Sequence, residues 1–164
     1  SFAGDGSDPR RILAVEPVGY HAWLAAGRVG LFVLGEPPTL RLAETGAGTA
    51  RVVAGDIGRS LQRVPAGDAI SFTQRDDEGW WVRRLESSGR IRTIAPLPGP
   101  ELYHAWTPDG RLLTARGTEV LELVPGSGTW RRVVDLAEHG LGAVTRLAVS
   151  PDGRTLAVVA DRAT

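Results

Sequence analysis

Cysteine, methionine, lysine and asparagine are all absent from this 164-residue chain. Without Cys there is no disulfide framework, no thiol nucleophile and no Cys-ligated zinc. Without Lys there is no P-loop lysine, no Schiff base and no lysine general base. Without Met, Ser1 is not expected to be a translation start, so the chain reads as a processed or excised piece. A leader removed earlier would leave no trace in it. The 19 arginines balance 19 acidic residues, giving a formal charge of zero, and no basic run is present. That combination excludes a general phosphate-backbone binder. No apolar run approaches the roughly 18 residues of a membrane helix. The use of Arg in place of every Lys points to a GC-rich bacterial genome.

What is present reads as a folded protein. Hydrophobic residues make up 42% and charged residues 23%, a globular rather than a disordered balance. The length suits one domain, or a piece of one, with a core of its own. Gly 21 and Pro 11 are together about one residue in five, so turns must be frequent.

The turns recur with a period. Tyr20-His21-Ala22-Trp23 is repeated letter for letter as Tyr103-His104-Ala105-Trp106, 83 residues later. Trp106-Thr-Pro-Asp-Gly110-Arg-Leu-Leu matches Val149-Ser-Pro-Asp-Gly153-Arg-Thr-Leu at an offset of 43. Trp23-Leu-Ala-Ala-Gly27 matches Arg63-Val-Pro-Ala-Gly67 at an offset of 40. A unit of 40 to 43 residues is the size of a four-stranded propeller blade. Within each unit a first strand runs into the turn at Trp23, Arg63, Trp106 or Val149. Apolar second strands follow at 29–34, 69–73, 112–115 and 156–159. Third strands alternate at 81–85 and 120–124, and fourth strands fall at 51–53, 91–95 and 130–134. Pro108-Asp109-Gly110 and Pro151-Asp152-Gly153 are turns with a mechanism: Pro presets φ, Asp caps the backbone and Gly accepts a positive φ. Only 136–141 has room for a helical turn. The expected class is all-β, a β-propeller with about four blades' worth of antiparallel four-stranded sheets.

Trp106-Thr-Pro-Asp-Gly110 and Val149-Ser-Pro-Asp-Gly153, each leading into an apolar strand, resemble the repeat of TolB-like, WD-like β-propellers. The period covers nearly the whole chain, whereas the signature is sharp only in the last two units. Unit two lacks both the aromatic and the Pro-Asp, and unit one keeps Trp23 but has Ala25-Ala26 in place of the Pro-Asp. The resemblance implies a ring of six or seven blades, of which residues 1–164 are the C-terminal part, and a periplasmic or secreted setting. Whole units are expected at 20–59, 60–100 and 101–143, with half-blades at 1–19 and 144–164. Residues 11–15 are expected to be a strand. The alternative is that the two ends pair with each other and close a four-bladed ring. In the first case the apolar strand at 156–159 is a sheet edge through which copies can associate; in the second it is paired within the chain and a monomer is expected.

First strands line a propeller's channel. Tyr20, Ser60, Tyr103 and Arg146 are therefore expected at similar height around its mouth, with His21 and His104 on the other strand face beside Trp23 and Trp106. Tyr20, His21, Tyr103, His104 and Arg146 form the candidate ligand-binding set. The competing structural role has both Trp residues buried between sheets, with each His bonded to the next blade. No catalytic constellation is found, since neither a G-x-S-x-G elbow nor H-E-x-x-H occurs. Gly46-Ala-Gly48 fails the dinucleotide pattern, and Glu119 and Glu122 read as solvated carboxylates. No metal site is expected: three scattered His have no ligand spacing, and Asp76-Asp77-Glu78 reads as an acidic hairpin tip. No cofactor is expected. Trp80, Trp81 and Trp130 with their neighbouring arginines could stack on bases, but the acidic triplet and zero net charge argue against nucleic acid. The expected function is a non-catalytic scaffold offering loops and a channel mouth to a protein or small ligand. The alternative is a propeller enzyme, or a propeller that gates a hydrolase domain elsewhere.

Overall fold

The computed structural model describes residues 5–162 except 26, 101 and 125. Fourteen strands form four antiparallel sheets in strict chain order. The first holds β1 (Val18–Trp23), β2 (Arg28–Val33), β3 (Thr39–Glu44) and β4 (Thr49–Gly55). The second holds β5 (Ile57–Arg63), β6 (Ala69–Asp76), β7 (Gly79–Glu86) and β8 (Ile91–Pro96). The third holds β9 (His104–Trp106), β10 (Leu112–Arg116), β11 (Glu119–Leu123) and β12 (Trp130–Asp135). The fourth has two strands, β13 (Leu141–Val149) and β14 (Leu156–Arg162). A 3-10 helix, Leu136–His139, joins the last two sheets, capped by Asp135 and by Gly140 in the left-handed region.

Each sheet is a meander because its turn chemistry permits nothing longer. In Pro108-Asp109-Gly110 the Thr107 carbonyl accepts the Gly110 N–H at 2.9 Å, with Gly110 at φ 87°. Pro151-Asp152-Gly153 repeats this, and the Asp152 carboxylate accepts from the Ser150 hydroxyl and the Arg154 N–H. The matching turn of the first unit includes Ala26, which lies outside the described residues. In the first three sheets the second strands are the most buried because both their faces are covered, and β2 reads accordingly as a near-continuous apolar run.

The sheets stack face to face, and the first strands β1, β5, β9 and β13 are neighbours in that order. The first and second sheets enclose the main core, in which Phe72, Leu40, Ile70 and Leu85 are fully buried. Gly30 leaves room there for the end of the Ile70 side chain, which a Cβ would have to displace. The third and fourth sheets meet through Ala105, Leu113, Val144 and Leu147. Between the second and third sheets the seam is polar instead, built on His104, Ser60 and Ser71.

Four expectations are corrected. Residues 11–15 form no ladder; Leu13 and Val15 instead lie on the outer face of the first sheet, over Val29, Leu31 and Val33. Among the described residues nothing pairs with the outer side of β14, so the two ends do not close a four-bladed ring. Trp23 is 46% exposed whereas its repeat Trp106 is half-buried, because only Trp106 has a sheet packed against its face. Glu122 is buried, between Arg111 and Arg131 at 3.5 Å each, rather than solvated. The Asp76 carboxylate does cap its own hairpin, accepting from the Trp81 indole, the Glu78 N–H and Arg83.

Candidate functional site

The chemistry concentrates where the first strands begin. Their pairing slips there: in β1 between Val18 and Tyr20, in β5 between Ile57 and Leu61, and in β13 between Val144 and Arg146. Bulges of this kind bend a strand and re-aim its side chains. Residues of the β5 and β13 bulges, Gly58, Arg59 and Thr145 among them, line a cavity of about 520 Å³. Its polar side chains are Arg59, Tyr103, Thr145 and Arg146, and its apolar wall includes Phe32, Trp80 and Leu102. Among the described residues no carboxylate and no imidazole lines it.

The Arg146 guanidinium lies 3.8 Å from the centre of the Tyr103 ring, close enough for a cation–π contact. Its NH1 donates to the Thr145 carbonyl at 3.0 Å. Tyr20 stands edge-on to Phe32, with ring centroids 5.7 Å apart, and is itself 42% exposed. Burial pushes the Tyr103 hydroxyl pKa up, against the pull of Arg146; Tyr20 adds to the rise and Arg59 opposes it. The hydroxyl therefore stays protonated and can donate. The Thr114 hydroxyl donates to the Tyr103 carbonyl at 2.8 Å and fixes the backbone at this point. Arg59 and Arg146 are both exposed, and neither has a carboxylate partner among the described residues. What the cavity offers is two positive charges without a carboxylate partner among the described residues, one hydroxyl donor and an aromatic wall.

Of the five expected site residues, Tyr20, Tyr103 and Arg146 come together at this mouth. The two histidines do not. His104 is fully buried in the seam, with Nδ1 3.0 Å from the Ser60 hydroxyl and Nε2 2.7 Å from the Ser71 hydroxyl. The His104 backbone N–H donates to Ser60 at 3.2 Å, and the Trp106 indole donates to Ser71 at 2.8 Å. Loss of water around the ring pushes the His104 pKa down to about 3, so it is a neutral packing residue. His21 lies in solvent on the outer face of the first sheet, paired across the ladder with Leu31.

Ser60, expected at the mouth, is buried under His104 instead. Two extra residues in the β5 bulge turn Ser60 inward and put Arg59 in its place. Arg59 and Trp80 are thus the site residues that the repeat pattern misses. A bulge leaves no mark in apolar periodicity, and Trp80 comes from the tip of the β6–β7 hairpin rather than from a first strand.

Comparison with known proteins bears on the fold. No family model and no curated protein sequence matches the chain. Among solved structures, TolB from Acinetobacter baumannii is similar with a TM-score of 0.69 at 20% identity, over 95% of this chain and 41% of that one. The tricorn protease is similar with a TM-score of 0.62 at 14% identity, over 86% of this chain and 14% of that one. The chain spans less than half the length of either. The fold is that of a TolB-like β-propeller, with meander sheets stacked as blades, and identities this low carry the fold and nothing further. No helix among the described residues is long and apolar enough to cross a membrane.

Proposed function

We propose that the chain is a propeller binding module whose channel mouth takes the carboxylate end of an apolar peptide or small molecule. One observation carries the reading: among the described residues the cavity is lined by two arginines and a protonated tyrosine hydroxyl, and no described acid lines it. Guanidinium groups recognise carboxylates through charge-assisted, paired hydrogen bonds. Phe32, Trp80 and Leu102 provide a surface for an apolar residue beside the charge. About 520 Å³ suits two residues of a peptide.

The same lining favours binding over turnover. General acid–base catalysis needs a group whose pKa lies near the working pH, and among the described residues the polar side chains of the wall are arginines, a threonine and a tyrosine shifted upward. We extend the reading to a protein or small-molecule ligand in a periplasmic or secreted setting, which fractionation of the source cell would check. The whole ring is read as larger than these four sheets.

Calorimetry with N-acetyl-Leu-Phe and its C-terminal amide tests the reading. The acid should bind at least about tenfold tighter than the amide, a difference worth about 1.4 kcal/mol, and Arg146→Ala should remove that preference. Equal affinity of acid and amide, or no binding of either, would contradict it.

A further inference from the structure

The mouth is assembled from two sides. Arg59 and Trp80 belong to the second sheet, on β5 and β7. Tyr103 leads into β9 of the third sheet, where the Thr114 hydroxyl of β10 holds its carbonyl. Arg146 of β13 lies over the Tyr103 ring and so moves with it. The spacing between the two arginines is therefore set across the seam between the second and third sheets.

That seam differs from its neighbours. The first and second sheets meet through an apolar cluster, and so do the third and fourth. Apolar contact has no direction, whereas a hydrogen bond constrains both distance and angle. His104, the residue after Tyr103, faces the hydroxyl of Ser60, the residue after Arg59. Its Nδ1 lies 3.0 Å from that oxygen, and its backbone N–H donates to the same atom at 3.2 Å. Nε2 lies 2.7 Å from the Ser71 hydroxyl on β6. One rigid ring is thus tied to two strands of the facing sheet, one peptide away from a mouth residue on each side. An apolar residue at 104 would avoid the desolvation cost of a buried ring. What a satisfied polar network adds is a single register.

We infer that Ser60 and His104 are positioning residues of the mouth: their bond holds Arg59 at the spacing from Arg146 that one carboxylate can bridge. The inference rests on the carboxylate-binding reading above. A displacement of about 1 Å is enough to spoil such a geometry.

Ser71 supplies the control. It bonds the same ring and the Trp106 indole, but its sequence neighbours Ile70 and Phe72 are buried core residues rather than lining of the mouth. Urea unfolding, and calorimetry with N-acetyl-Leu-Phe and its C-terminal amide, compare wild type, Ser60→Ala and Ser71→Ala. Both variants should lose stability, since each leaves a ring nitrogen of His104 unpaired. Only Ser60→Ala should lose preference for acid over amide, by at least about threefold. Unchanged preference in Ser60→Ala, or an equal loss in Ser71→Ala, overturns the inference. Should Ser60→Ala fail to fold, Ser60→Cys takes its place, with a thiol that bonds more weakly. Wild-type protein without preference for the acid removes the binding reading instead, and ligand-free crystal structures then decide the role of the pair. The Cα separation of Arg59 and Arg146 should shift by more than about 0.5 Å in Ser60→Ala but not in Ser71→Ala. An Arg59 that stays in place overturns the inference.

Discussion

Acidification from pH 7 to pH 5 should destabilise the fold by about 2 kcal/mol through His104 alone. The ring is buried and its pKa is pushed down to about 3 from an ordinary 6.5. As pH falls, the unfolded chain therefore takes a proton near 6.5 while the folded chain does not. The unfolded state binds more protons throughout the window between these values, so stability rises with pH there and is lost as pH falls. It is fully present above about pH 6.5 and declines by about 1.4 kcal/mol per unit toward pH 3. At pH 5 the unfolded-state term is RT ln(1 + 10^1.5), about 2 kcal/mol. The capping and ion-paired carboxylates Asp76, Asp109, Glu119, Asp135 and Asp152 have their pKa values held down. They too lose their contribution in acid, but mainly below the ordinary carboxylate range near 4. Urea unfolding at pH 7, 6 and 5 isolates the histidine. The midpoint should fall with an unchanged m-value, and His104→Gln should be less stable but flat across this window. A wild-type midpoint that does not move between pH 7 and 5 would refute the buried, neutral imidazole.

Further outcomes follow from packing and edges. Gly30→Ala drives a methyl into the buried Ile70 side chain and should cost about 1–3 kcal/mol by thermal unfolding; a change under about 0.5 kcal/mol would mean that the core relaxes freely there. Trp106→Phe removes the donor to Ser71 and should cost about 1 kcal/mol in urea, whereas Trp23→Phe, exposed and with no hydrogen-bond partner among the described residues, should be near neutral. The outer side of β14 carries the exposed Val159, so light scattering should detect association that Val159→Glu reduces; a monomer at every concentration would count against an adhesive edge.

The architecture was legible because its signals are local. Pro-Asp-Gly at 108–110 and 151–153 dictates a turn by backbone chemistry alone, and the Tyr-His-Ala-Trp repeat sets the unit length without reference to any partner. Tyr20, Tyr103 and Arg146 followed, since equivalent positions in equivalent strands must meet around an arc. Long-range features were not legible. Ser60 aligns with Tyr20 by count, yet the two-residue bulge in β5 turns it inward and sends Arg59 to the mouth. Trp23 and Trp106 sit in identical local sequence but differ in exposure, because burial depends on the neighbouring sheet. Residues 11–15 have the composition of a strand, but a ladder needs a partner, and theirs is a side-chain face instead.

Backbone-amide and indole chemical shifts recorded while N-acetyl-Leu-Phe is titrated in would test the mouth as a carboxylate-binding site most directly. The binding reading predicts saturable shifts confined to Gly58, Arg59, Trp80, Tyr103, Thr145 and Arg146, lost in Arg146→Ala and absent with the amide. Shifts centred on the β14 edge or on the Asp76–Glu78 hairpin tip, or shifts as large with the amide, would contradict it.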